Sequence, residues 1–111
     1  MNDILIDVEN LKQKILDSNE YKEFKKYEQI LDNNKEINDI ITKIKRKQQI
    51  IIKKEDKNED VEKDQIELNT LYKKLDTYND YKKYIESSKK LNEIITSIQK
   101  EFENYFNKFI I

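Results

Sequence analysis

Not one glycine or proline occurs in this 111-residue chain. Those two residues supply most sharp turns, so their absence favours a few long helices over a many-stranded sheet. It also removes any glycine-rich loop able to cradle a phosphate or a dinucleotide. Cys, His, Trp and Ala are missing as well. The chain therefore has no thiolate nucleophile, no disulfide and no imidazole base, and it lacks both ligand types preferred in nitrogen–sulfur zinc sites.

Ile, Leu, Val and Phe contribute 32 residues, about 29% of the chain, above the roughly 20% below which sequences tend to disorder. That suffices for one modest core or for narrow seams between helices, in a single domain over residues 1–111. The 22 basic and 23 acidic side chains nearly cancel, although 41% of the residues are charged. Lys outnumbers Arg 21 to 1 in an Ile- and Asn-rich composition, a bias that reads as AT-rich codon usage and not as function. Asp3, Asp7 and Glu9 stand where a secretory signal would be basic. No apolar run approaches the ~20 residues needed to span a bilayer. A cytoplasmic protein with no membrane insertion is expected.

Apolar periodicity divides the chain into helices. Ile4, Val8, Leu11 and Ile15 step 4-3-4, as one helix face requires. Asp17 and Ser18 offer N-cap oxygens to a short second helix carrying Tyr21, Phe24, Tyr27 and Leu31, and Asp17 with Glu20 has capping-box spacing. Asn33 is the expected cap of a third helix, along which Ile37, Ile41, Ile44, Gln48 and Ile51 step 4-3-4-3. A loop is expected over residues 56–60, where charge is dense. Val61, Gln65, Leu68, Tyr72 and Leu75 mark a fourth helix, and residues 77–80 a break with Thr77 and Asn79 as candidate caps.

The last stripe is the longest: Tyr81, Tyr84, Ser88, Leu91, Ile95, Ile98, Phe102, Tyr105 and Phe109, nine positions in strict 3-4 alternation. A helix over residues 80–109 is about 45 Å long, against a radius of gyration of about 13 Å for a compact chain of this size. The expected fold is all-α: an elongated antiparallel helical hairpin with short N-terminal helices and coiled-coil-like seams. Residues 1–31 form the N-terminal helical extension, 33–56 the first long helix, and 60–109 the returning arm with a break near 77–80. Two stretches also resemble each other. Residues 20–24 parallel 80–84, and 37–44 parallel 91–98, with spacers that differ by six residues. Either a pseudo-repeat building two equivalent sides of a hairpin or the biased composition accounts for this.

Carboxylates are plentiful, but Glu59 with Glu62, or Glu101 with a neighbour, lie on charged helix faces with Lys four residues away, as Lys89 is from Glu93. Acid–base pairs need environments that push their pKa values apart, and the helical-bundle di-iron motif needs His. No enzyme is expected. Residues 40–54 hold Lys43, Lys45, Arg46, Lys47, Lys53 and Lys54 with no acid, whereas residues 55–67 hold seven acids against two Lys. One reading is a basic RNA-contacting helix beside an acidic flank. The other is a hairpin whose oppositely charged arms pair antiparallel. The near-zero net charge and the lack of interleaved aromatics favour the second, which makes direct nucleic-acid binding unexpected.

Near the end of the chain, Ile94, Ile95, Ile98, Phe102, Tyr105, Phe106 and Phe109 occupy adjacent sides of one helix, a stripe wider than one partner helix covers. Core packing within the chain is one explanation. Burial against another subunit is the stronger, since exposed apolar patches mark contact surfaces. With only Lys100 and Lys108 nearby, a membrane-surface contact is the weakest.

The order of these features resembles a known family. Ser18-Asn19-Glu20-Tyr21-Lys22-Glu23-Phe24 opens a helix, and an Ile-rich helix reaching Gln48 follows. A charged middle comes next, then Tyr81-Lys82-Lys83-Tyr84 with Leu91, Ile94, Ile95 and Ile98. Over residues 4–106 this pattern is similar to the YlbF/YmcA family of small all-helical bacterial proteins. The resemblance implies dimerisation through long helices and a cytoplasmic regulatory role in competence, sporulation and biofilm development. It also implies a complex that influences messenger RNA processing by the membrane-anchored ribonuclease RNase Y. Some members hold iron–sulfur clusters through cysteines; this chain has none, and no cofactor is expected. The combined expectation is a non-enzymatic regulator or adaptor that associates with a second copy or a family relative. A coiled-coil spacer, or a weak RNA-binding cofactor using residues 43–54, are the alternatives.

Overall fold

A computed structural model of the chain describes residues 2–110, with side chains through residue 108. It is all-α. Among the described residues five helices follow in order: α1 (Asp3–Leu16), α2 (Asn19–Asp32), α3 (Lys35–Asp56), α4 (Glu62–Leu75) and α5 (Asn79–Ile110). Without glycine or proline, short polar side chains do the punctuating. Asn2 caps α1 by accepting from the Ile4 N–H at 2.8 Å. The Ser18 hydroxyl accepts from the Tyr21 N–H at the start of α2. Asn34, and not the expected Asn33, caps α3 by accepting from the Ile37 N–H at 3.0 Å. Each satisfies an N–H that the first turn of a helix leaves unpaired.

The end of α3 shows the same economy. The Asn58 N–H reaches the Glu55 carbonyl and the Glu59 N–H reaches the Lys54 carbonyl, the paired bonds of a Schellman motif. Asn58 adopts φ 56°, the left-handed conformation usually given to glycine. Asn tolerates it best among the residues this chain uses. Asp60 then accepts from the Glu62 N–H and leads into α4.

The chain forms two compact units, Glu28–Lys83 and, from both ends of the sequence, Met1–Tyr27 with Tyr84–Ile111. In the first, α3 and α4 pair antiparallel: Lys54 meets Asp64, Lys47 meets Glu67, Gln48 meets Tyr72, and Glu36 meets Tyr78. The buried seam of α3 is Ile37, Ile40, Ile44 and Ile51, with Lys47 and Lys54 half-buried on the same 3-4 track. Opposite them run Asp64, Leu68 and Leu75, with Leu71 half-buried. The sequence pattern places Ile41, Gln48, Gln65 and Tyr72 on these tracks. The structure instead uses Ile40, Lys47, Asp64 and Leu71, one residue earlier at each rung, because the seam accommodates charge when the charges pair.

Asp64 is the centre of that pairing. Its carboxylate accepts from Lys54 at 2.6 Å and from Lys47 at 3.2 Å, and Lys47 also reaches Glu67 at 2.6 Å. The hydrogen bond from Lys54, then that from Lys47, hold the Asp64 carboxyl below its usual range. Lys47 is raised, chiefly by its hydrogen bond to Glu67, and Lys54 by its hydrogen bond to Asp64. One turn from the end of the seam, the Tyr78 hydroxyl donates to Glu36 at 3.0 Å, which raises its pKa.

In the second unit, Phe24 and Tyr84 pack with ring centroids 5.6 Å apart. They hold the same place in the two resembling stretches, each of which opens a helix at Asn19 or Asn79. The α5 face turned inward is Tyr84, Ser87, Leu91, Ile94 and Ile98, with Ser87 and Leu91 buried. The sequence stripe has Ser88 and Ile95 instead. The Ser87 hydroxyl donates to the Tyr84 carbonyl at 2.9 Å, which lets a polar residue occupy a buried rung.

Two expectations follow from the seam. Ile37 is fully buried, so Ile37→Ala is expected to cost about 2–5 kcal/mol in urea denaturation, against about 0.5 kcal/mol or less for Ile52→Ala at an exposed position. The pH profile follows from the charges. Asp64, depressed in the folded chain, contributes fully above its unfolded value of about 3.9 and loses that contribution as pH falls through its lower folded value. Lys47 and Lys54, raised, contribute fully below about 10.4 and lose it as pH rises through their folded values. Stability is expected to plateau between about pH 5 and 9.5. Asp64→Asn should lower that plateau and flatten the acid limb in thermal denaturation; superimposable acid limbs would disprove the linkage.

Candidate functional site

The residues that sequence periodicity marks as an interface lie along the second half of α5, and the structure leaves most of them open. Ile94 and Ile98 are half-buried and line a groove of about 470 Å³ with Glu20, Lys90, Glu93 and Ser97. Ile95 stands just outside it, 38% exposed. Farther along, Phe102, Tyr105 and Phe106 are 48%, 59% and 49% exposed. Phe102 and Phe106 stack at 6.2 Å, and Tyr105 meets Phe106 edge-on at 5.7 Å. Phe102 and Phe106, four residues apart, stand on neighbouring turns of one helix face, and Tyr105 extends the cluster to the side. The side chain of Phe109 lies outside the described residues.

The basic segment is divided. Lys47 and Lys54 belong to the seam and are engaged by Asp64 and Glu67. Lys43, Lys45, Arg46 and Lys53 are exposed. Lys43 and Arg46 stand on the α3 wall of a groove of about 390 Å³, whose apolar floor and far wall are Ile50, Ile66 and Leu71. Lys43 also borders a smaller, more polar groove with Glu36, Asp39 and Tyr78. Sequence reasoning missed the groove between α3 and α4. Its signal was present in Ile50 and Ile66, apolar residues that fit neither helical track.

Sequence reasoning marked the stripe of α1 but not that this helix buries none of its residues: Ile4, Leu5, Ile6 and Val8 are all exposed. The signal there was an apolar content too wide for one stripe, since Leu5 and Ile6 lie off the face of Ile4 and Val8.

Among the described residues no group of three or more acidic side chains is placed to hold a metal ion, and no helix is long and apolar enough to cross a membrane. The clearest perturbed carboxylate, Asp64, is occupied by two lysines within a helix seam. What the arrangement offers is apolar area bordered by charge, the composition of a protein-contact surface.

No curated protein and no solved structure matches the chain. A family model described as "Control of competence regulator ComK, YlbF/YmcA" matches residues 4–105. That match reaches every helix, from the first turn of α1 to Tyr105 in α5. The chain therefore belongs to the YlbF/YmcA family, a family of regulators acting in the control of ComK.

Proposed function

We propose that this protein is a non-enzymatic regulatory adaptor that works by helix-mediated association, with a second copy or a family relative, through the open strip of α5. The observation that carries this reading is the group Phe102, Tyr105 and Phe106, in which Phe106 packs on both others and all three stay exposed on one helix. Aromatic side chains each bury roughly 150–250 Å² when covered and dominate the energetic centres of interfaces. Membership in a family of regulators supports the regulatory half of the reading. The adaptor half places the chain in the cytoplasm, within a complex that influences RNA processing by RNase Y.

A coiled-coil spacer would need one continuous seam and no second surface, and the groove beside Ile94 and Ile98 argues against it. An RNA-binding cofactor would lose two of its six cations to Asp64 and Glu67. Purified Phe102→Ser/Phe106→Ser protein is expected to keep its helix content. Its association, followed by sedimentation, is expected to weaken by at least about thirtyfold, the loss typical of a central aromatic anchor. Unchanged association would sink the proposal. Partner capture from the host that disappears on nuclease treatment would instead favour the RNA-bridged reading.

A further inference from the structure

The groove between α3 and α4 and the first two turns of α1 have matching chemistry, and neither is covered. On α1, Ile4 and Val8 form an exposed apolar ridge, and Asp3 and Asp7, one turn apart, run along its edge. No base occurs in the chain before Lys12. In the groove, Ile50 and Ile66 are 40% and 60% exposed, and Lys43 and Arg46, also one turn apart, line the α3 wall beside Ile50. Among the described residues lining the groove the one acid, Glu67, is held by Lys47 at 2.6 Å, so Lys43 and Arg46 set the sign of the site.

We propose that α1 of a second copy of this chain seats in the α3–α4 groove, with Ile4 and Val8 on Ile50 and Ile66 and with Asp3 and Asp7 facing Lys43 and Arg46. The mode is an amphipathic helix laid into an apolar groove. Two acids about one turn apart facing two bases about one turn apart favour one register along the groove, which apolar contact alone would not do. Exchange of α1 in both directions closes a two-fold dimer, whereas a one-way contact would leave a free groove and a free helix at the ends of a chain of copies. This contact uses neither Phe102 nor Phe106 and does not depend on the α5 strip.

The absence of cysteine makes the test direct. One copy carries Ile4→Cys and a second, differently tagged copy carries Thr70→Cys in the groove wall. On mild oxidation the mixture is expected to give a disulfide between the two different chains. Adding Lys43→Glu and Arg46→Glu to the second copy should cut its yield at least about tenfold, since like charges would then face each other. Adding Asp3→Lys and Asp7→Lys to the first copy should restore it. All four charge positions are exposed, and far-ultraviolet circular dichroism checks that each variant keeps its helices. Three outcomes would overturn the proposal: no disulfide in the mixture, a yield indifferent to the charge reversals, or a disulfide that forms only when both cysteines are in one chain. The last would mean that α1 fills the groove of its own molecule, and the first that the groove serves a different partner.

Discussion

Asp64 sits where an aliphatic residue would be expected, and the register of the α3–α4 pair depends on it. The Ile and Leu rungs of the two helices are nearly interchangeable, so a slide of one heptad would bury similar apolar area. It would also leave Lys47 and Lys54 in the seam without a carboxylate. Breaking a desolvated pair in that way is strongly unfavourable, whereas forming it is close to neutral against a hydrophobic alternative. The cluster therefore selects one register more than it adds stability, the role that a polar residue at a core position plays in coiled coils. A seam that is locked along α3 and α4 in turn fixes which faces of those helices remain outside it, and so places Ile50, Ile66, Lys43 and Arg46 together around one groove.

Much of this was legible in the sequence, and the failures share a cause. The helices and their breaks were readable because Asn, Asp, Ser and Thr are the short polar residues left to stop a helix in a chain without glycine and proline. Neighbouring caps were harder to separate. Asn33 and Asn34 are equally able acceptors, and only the backbone decides that Asn34 points its oxygen at the Ile37 N–H. The seams were misread by one residue at alternate rungs for the same kind of reason. A periodicity argument prefers Ile41 to Ile40, and Gln48 to Lys47, when the step pattern fits both. What settles the choice is a contact seventeen residues away, between Lys47 and Asp64, which no local pattern encodes. The basic run at residues 43–54 was read in two ways, and its cations divide between both kinds of place, some in the seam and some in solvent.

The surfaces divide on similar lines. Aromatic density at the end of α5 is a local property, so Phe102, Tyr105 and Phe106 could be singled out from spacing alone. The groove beside Lys43 and Arg46 is a property of two helices together, and it becomes visible only once the seam has used up Lys47, Lys54 and Asp64. The helix α1 falls between these cases. Its stripe was readable, but that no described residue buries Ile4 or Val8 was not.

Burial is unevenly shared, and this bears on how a regulator of this size would respond to its partners. Among the described residues, the unit Glu28–Lys83 holds seven of the eight buried apolar side chains, and the unit built from the two ends of the sequence holds only Leu91. The latter unit also carries the exposed apolar residues of α1 and the aromatic platform of α5. At roughly 25 cal/mol per Å², covering those faces contributes to the stability of the unit as well as to binding. Anything that binds the folded form and not the unfolded one stabilises it by mass action. The α3–α4 seam has its own core and its Asp64 cluster, and so depends less on such covering. A ligand that binds the folded form of a unit with as small a core as the one built from the two ends adds a larger share to its stability than one that binds a unit with a core of its own.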